Sequence, residues 1–107
     1  MKELNAQEFE VLLQQAQAND VESMIKVARA YEGGFGTQKN TQTALWWFLR
    51  SAQAGHPQAQ YEVALWYSDG VHCVTDYQKS VYWCKRAAMQ GLEEAVDYLD
   101  FLQGFDI

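Results

Sequence analysis

The sequence predicts an all-α chain folded as an αα superhelix, a stack of helix hairpins with about six helices. Three observations predict it. The chain repeats itself at a spacing of 36 positions, as from Val27 to Val63. Glycines punctuate each unit at helix-length intervals. A single Pro and few β-branched runs favour helix over strand.

The repeat carries the most information. The same shift that brings Val27 onto Val63 brings Ala28 onto Ala64, Tyr31 onto Tyr67 and Gly34 onto Gly70. It also brings Gln42 onto Gln78, Trp47 onto Trp83, Arg50 onto Arg86, Ala52 onto Ala88, Gly55 onto Gly91 and Ala59 onto Ala95. Most matches fall on small and aromatic residues, where packing is demanding. One hairpin cannot bury both faces of its apolar stripe, so such units must stack on neighbours.

Each unit reads as two helices. In the second, Gly55 closes the preceding helix and Pro57 suits a first turn, where its missing N–H has no partner to lose. Ala59, Val63, Ala64 and Tyr67 recur at helical spacing, and Gly70 ends the helix. Asp76 is placed to cap the next helix, whose inward stripe is Ser80, Trp83, Ala87 and Ala88 before Gly91. In the first unit, Asn19 with Glu22 forms a capping-box-like start, followed by Ser23, Val27, Ala28 and Tyr31. The Gly33-Gly34-Phe35-Gly36 turn follows, then Asn40 as cap and Ala44, Trp47, Ser51 and Ala52 as stripe. Small residues let helix axes approach, and the tryptophans fill the wedge between hairpins.

The expected organisation is a single domain over 1–107. Residues 1–18 hold a capping helix with Phe9, Leu12, Leu13 and Ala16, and 19–54 form the first repeat. Residues 55–90 form the second, and 91–107 a half-repeat cap with Ala95, Leu99 and Leu102.

The segment Ala59-x-Tyr61-x-Val63-Ala64-x-x-Tyr67-x-x-Gly70, followed by Asp76-Tyr77-x-Lys79-Ser80-x-x-Trp83-x-x-Arg86-Ala87-Ala88-x-x-Gly91, resembles the Sel1-like repeat. That family is related to the tetratricopeptide repeat, and the resemblance covers roughly residues 19–103. It implies a right-handed stack of helix pairs and a non-catalytic function in protein binding. Relatives include adaptors, assembly factors and small bacterial immunity proteins that neutralise a toxin. Some positions depart from the family pattern. Val27-Ala28 and Val63-Ala64 stand where leucine and glycine are usual, His72 replaces the second turn glycine, and Asp100 replaces a glycine in the last half-copy.

Composition narrows the function. Among 107 residues, 49% are hydrophobic and 14% aromatic, too many large apolar side chains for a disordered chain. The net charge of −6 and the lack of a basic stripe exclude a nucleic-acid binder and disfavour an anionic membrane. The same charge suits a basic protein partner. The polar start and the lack of a long apolar run predict neither a signal peptide nor a membrane span, and hence a cytoplasmic protein. Cys73 and Cys84 match no ligand or redox spacing and are expected to remain thiols.

No catalytic constellation is visible, and no cofactor is expected. There is no G-x-S-x-G, no phosphate loop and no H-E-x-x-H. His56, His72, Cys73 and Cys84 are the residues from which a metal site could be imagined, but no ligand pattern joins them, so none is expected.

The aromatic excess points to a binding surface. Trp46 and Tyr82 each precede a core tryptophan, about 100° off the buried stripe, and Trp66 precedes core Tyr67 where the first copy has Ala30. These three either mark a partner-binding surface or fill gaps between hairpins. By analogy with tetratricopeptide stacks, the first helix of each pair lines the binding face. That face would present Arg29, Glu62, Leu65, Trp66 and Phe101, with Lys26, Ala30 and Asp97 beside them. The expected partner is another protein, a basic toxin or a complex subunit. Leu99 or Phe105 at the half-covered end allows a weak homodimer beside the monomer.

Overall fold

The computed structural model describes residues 4–104. Its elements are α1 (Ala6–Gln17), α2 (Val21–Gly33), α3 (Thr41–Gln53), α4 (Pro57–Asp69), α5 (Tyr77–Met89) and α6 (Glu93–Gln103). There are no strands among the described residues. Each helix packs on its neighbours in the chain, and the stack extends 49 × 26 × 23 Å. α2, α4 and α6 form one layer, which we call the inner layer. α1, α3 and α5 form the outer layer.

The helix starts follow the capping residues. Asn40 Oδ1 accepts the Thr43 N–H at 3.0 Å, and Asp76 Oδ1 accepts the Lys79 N–H at 3.1 Å. These residues also close the hairpins: Asn40 N–H donates to the Tyr31 carbonyl and Asp76 N–H to the Tyr67 carbonyl, both at 2.8 Å. The same bond therefore recurs at the same place in each repeat. A full capping box occurs at α1, where Asn5 and Glu8 each accept the other's backbone N–H.

One start differs from expectation. The cap of α2 is Asp20, not Asn19, and Glu22 makes no capping bond there. Asn19 instead has φ 71°, beside φ 100° at Gly55 and 90° at Gly91. The three residues are spaced by the repeat length, and each sends its N–H back to Ala16, Ala52 or Ala88. Asn19 is thus the first copy of the unit-closing glycine. Asparagine can take this place because it tolerates the left-handed region better than other side-chain-bearing residues.

The core lies between the layers. Ala28, Ala44, Ala52, Ala59, Ala64 and Ala87 are fully enclosed, and Trp47 and Trp83 are buried among them. Ser80 Oγ donates to the Ala64 carbonyl at 2.6 Å, so that hydroxyl is satisfied at a tight crossing. Gly36 seats α1 on the α2–α3 turn. A Cβ there would stand 2.7 Å from the Asn5 carbonyl oxygen and 2.9 Å from Phe9 Cβ, which requires glycine. Phe105 and the rest of the C-terminal tail, like the first three residues, lie outside the described residues.

Candidate protein-binding faces

The inner layer gathers several of the expected residues. Arg29 on α2 reaches Glu62 on α4 at 3.1 Å, and its guanidinium lies 5.7 Å from the ring centre of Phe48. Further along, Tyr61 on α4 meets Tyr98 on α6 edge-on, and Tyr98 stacks on Phe101 at 5.6 Å. Tyr98 is also hydrogen-bonded through its hydroxyl to Ser68. Phe101 is 57% exposed and Leu65 half-buried, so this face is apolar and partly open. Burial, and after it the fields of Cys84, Glu94, Tyr98 and Glu62, raises the Tyr61 phenol above its usual range. It therefore stays a neutral donor.

Trp66 does not belong to that surface. It is 5% exposed, with its ring against Phe48 on one side and His72 on the other. The repeat explains why. Its counterparts one unit away are Ala30 and Leu102, both buried, so this position faces the outer layer in all three copies. Trp66 is core packing, which corrects its assignment as a partner-binding residue.

Trp46 and Tyr82 are exposed, at 51% and 53%, but on the other side of the molecule. Trp46 lies two positions before Phe48, about 200° around α3. Phe48 points at Trp66 and Arg29, so Trp46 points away from the inner layer. Tyr82 bears the same relation to Cys84, whose Sγ–H donates to the Ala95 carbonyl of α6 at 3.1 Å. The seven expected residues therefore do not make one site. Arg29, Glu62, Leu65 and Phe101 sit on the inner face, Trp46 and Tyr82 on the outer face, and Trp66 in the core.

Charge separates α3 and α5 from the inner helices, while α1 carries Glu8 and Glu10. The inner helices carry Glu22, Glu32, Glu62, Asp69, Glu93, Glu94, Asp97 and Asp100 against only Lys26 and Arg29. α3 and α5 carry Arg50, Lys79, Lys85 and Arg86 and no acidic residue. Tyr98 was missed as a site residue. The signal was present, because the repeat places it on Lys26 and Glu62, where an aromatic is out of pattern.

The imagined metal ligands serve other ends. His56 Nε2 lies 2.7 Å from a Glu22 carboxylate oxygen, bridging the starts of α4 and α2. Both cysteines are free; Cys73 Sγ–H reaches the Trp66 carbonyl, and burial pushes the Cys84 thiol up to about 11. No group of three potential ligands that could hold a metal exists among the described residues. No helix among them is long and apolar enough to cross a membrane.

Comparison with known proteins places this geometry. The family model described as Sel1 repeat matches residues 21–56 and 57–92. The chain belongs to the Sel1 repeat family. Among solved structures it is similar to a Sel1 repeat protein from Oxalobacter formigenes, with TM-score 0.83 and 22% identity over 88% of this chain and 39% of that one. It is also similar to c5321, a protective antigen of uropathogenic Escherichia coli strains with an SLR fold. There the TM-score is 0.81 and the identity 33%, over 85% of this chain and 20% of that one. The chain thus spans well under half the length of either. No curated relative matches the sequence.

The Sel1 units begin at Val21 and Pro57, the first residues of α2 and α4. Sel1-like repeats are generally protein–protein interaction modules, built on a non-catalytic scaffold fold. Their repeated residues here, Ala52 and Ala88, Trp47 and Trp83, Gly55 and Gly91, form the frame. The residues outside that repetition distinguish the two faces.

Proposed function

We propose that this Sel1 repeat protein is a non-catalytic binding module, and that its inner face takes a basic segment of a partner protein. One observation carries the reading. Glu62 and Glu94 stand close enough to act on Tyr61, within the partly open cluster of Tyr61, Leu65, Tyr98 and Phe101, on helices whose charged residues are mostly acidic. Aromatic anchors supply affinity when a partner desolvates them, while the surrounding charge steers association and selects its sign. No cofactor takes part.

Two roles fit such a face. A small bacterial immunity or inhibitor protein would neutralise a basic toxin by covering it. An adaptor or regulatory subunit would hold a basic partner within a signalling or assembly complex. The charge of the inner face favours a basic partner in both. The protein acts in the cytoplasm in this reading, as a monomer or a weak homodimer.

A tagged pull-down from native extract tests it, comparing wild type with Phe101→Ala, checked by circular dichroism. Loss of one discrete basic partner by folded Phe101→Ala supports the reading. Full recovery of every partner by that variant removes the inner face from consideration.

A further inference from the structure

We propose that the outward face of α3 and α5 is a second docking surface, whose occupant is an acidic segment of a partner protein. Two equivalent arginine–aromatic clamps stand on it, one repeat apart. The Arg50 guanidinium lies 5.1 Å from the Trp46 ring centre and 5.3 Å from that of Trp47. The Arg86 guanidinium lies 5.6 Å from Tyr82 and 5.5 Å from Trp83. In each pair the two aromatic rings meet edge to face, so the arginine is held against an aromatic corner.

A cation held near aromatic rings keeps most of its guanidinium N–H donors free for another acceptor. Arg50 gives one hydrogen bond to Asn19 Oδ1 and Arg86 one to the Tyr82 hydroxyl, although each group has several more donors. Among the described residues, neither arginine is paired with a carboxylate. The inner tryptophans, Trp47 and Trp83, are needed by the core. Core packing does not require Trp46 and Tyr82, which are half-exposed and add a large apolar area beside each unpaired charge.

The chemistry of the occupant follows from the sign and spacing. In a chain of net charge −6, this is the face that lacks acidic residues and adds Lys79 and Lys85 to the two arginines. A carboxylate fits the fork of a pre-oriented arginine, and little side-chain entropy is left to lose. An extended segment advances about 3.3 Å per residue, so one carrying carboxylates at regular intervals can lie across α3 and α5 and present a carboxylate to each clamp. A long polyphosphate would instead run onto the acidic remainder of the molecule, which favours a protein segment over nucleic acid.

The test uses a fluorescein-labelled peptide with glutamate at every third position and tyrosine or leucine between. Its glutamine counterpart and an oligothymidylate serve as rivals. Fluorescence anisotropy should show the glutamate peptide binding at least about tenfold tighter than the glutamine one. That binding should weaken as salt rises from about 0.05 to 0.3 M. Arg86→Gln and Trp46→Ala should each lose about fivefold or more, whereas Phe101→Ala on the inner face should change nothing. Arg86→Lys, which keeps the charge but not the fork, should lose affinity in part. Equal binding of the two peptides, no binding of either, or undiminished affinity in both folded arginine variants would overturn the proposal. So would oligothymidylate binding as tightly as the glutamate peptide. The unchanged Phe101→Ala result separates this surface from the inner one, so either reading can fail alone.

Discussion

Gln60 and Gln90 meet through their side-chain amides, Nε2 of Gln90 donating to Oε1 of Gln60 at 3.0 Å. Gln60 is fully enclosed and donates its own Nε2–H to the Ala52 carbonyl, while Gln90 also donates to the Gly55 carbonyl at 2.8 Å. Together they tie the turn between α3 and α4 to the end of α5. A buried amide is tolerated only when its groups are satisfied, and here donor and acceptor both are. Gln60→Met keeps the volume and removes these bonds. It should cost roughly 1–2 kcal/mol in a urea titration, with Gln90→Ala, more exposed, costing less. A neutral Gln60→Met would show that the network contributes nothing to stability.

The two exposed-looking tryptophans of the sequence should separate in stability measurements. Trp66→Ala removes a buried ring packed on Phe48 and should cost about 3–5 kcal/mol. Trp46→Ala removes a half-exposed ring and should cost about 1 kcal/mol or less. Thermal unfolding followed at the helix signal distinguishes them, and equal losses would contradict the placement of Trp66.

Asn19 holds a left-handed conformation at φ 71°. Asn19→Ala should therefore destabilise by roughly 1–2 kcal/mol through backbone strain. Asn19→Gly relieves that strain and loses the side-chain bond to Arg50, so it should stay within about 0.5 kcal/mol of wild type. If alanine is tolerated as well as glycine, the turn is not the repeat-closing one described here.

Stability should fall at alkaline pH. Cys84 is pushed from 9.0 to about 11, so between those values the folded state keeps a proton that the unfolded chain releases. The contribution is complete below about pH 9 and lost as pH rises through about 11, up to roughly 2 kcal/mol. The raised Tyr61 phenol acts in the same direction. Urea midpoints near neutral pH and at about pH 10.5 should differ less in Cys84→Ala than in wild type. An identical pH dependence in the variant would refute the assignment.

Cys84 also marks the boundary between local and tertiary information. That Cys84 behaves as a small buried apolar residue could be read from its place beside Trp83, but the carbonyl it meets on α6 could not. Glycine spacing marked the helix ends, and Asn40 and Asp76 marked the starts, because capping is local chemistry. Asn19 was misread because an asparagine suits both a helix start and a left-handed turn. Only the comparison with Gly55 and Gly91 separates the two. Trp66 was ambiguous for a related reason. One comparison, with Ala30, suggested an insertion onto the surface, whereas Leu102 in the third copy shows the position to be apolar and buried.

Periodicity along the chain is enough to specify the repeat length, the helices, the small-residue crossings and the core tryptophans. Each of these rests on a period within one helix or between copies of one unit. Which helices share a layer depends instead on how the hairpins pack. That packing puts Arg29 and Phe101 on one side and Trp46 and Tyr82 on the other. The reason is physical: a helix offers its whole circumference to its neighbours, and a half-polar position becomes surface or core according to what the next hairpin covers.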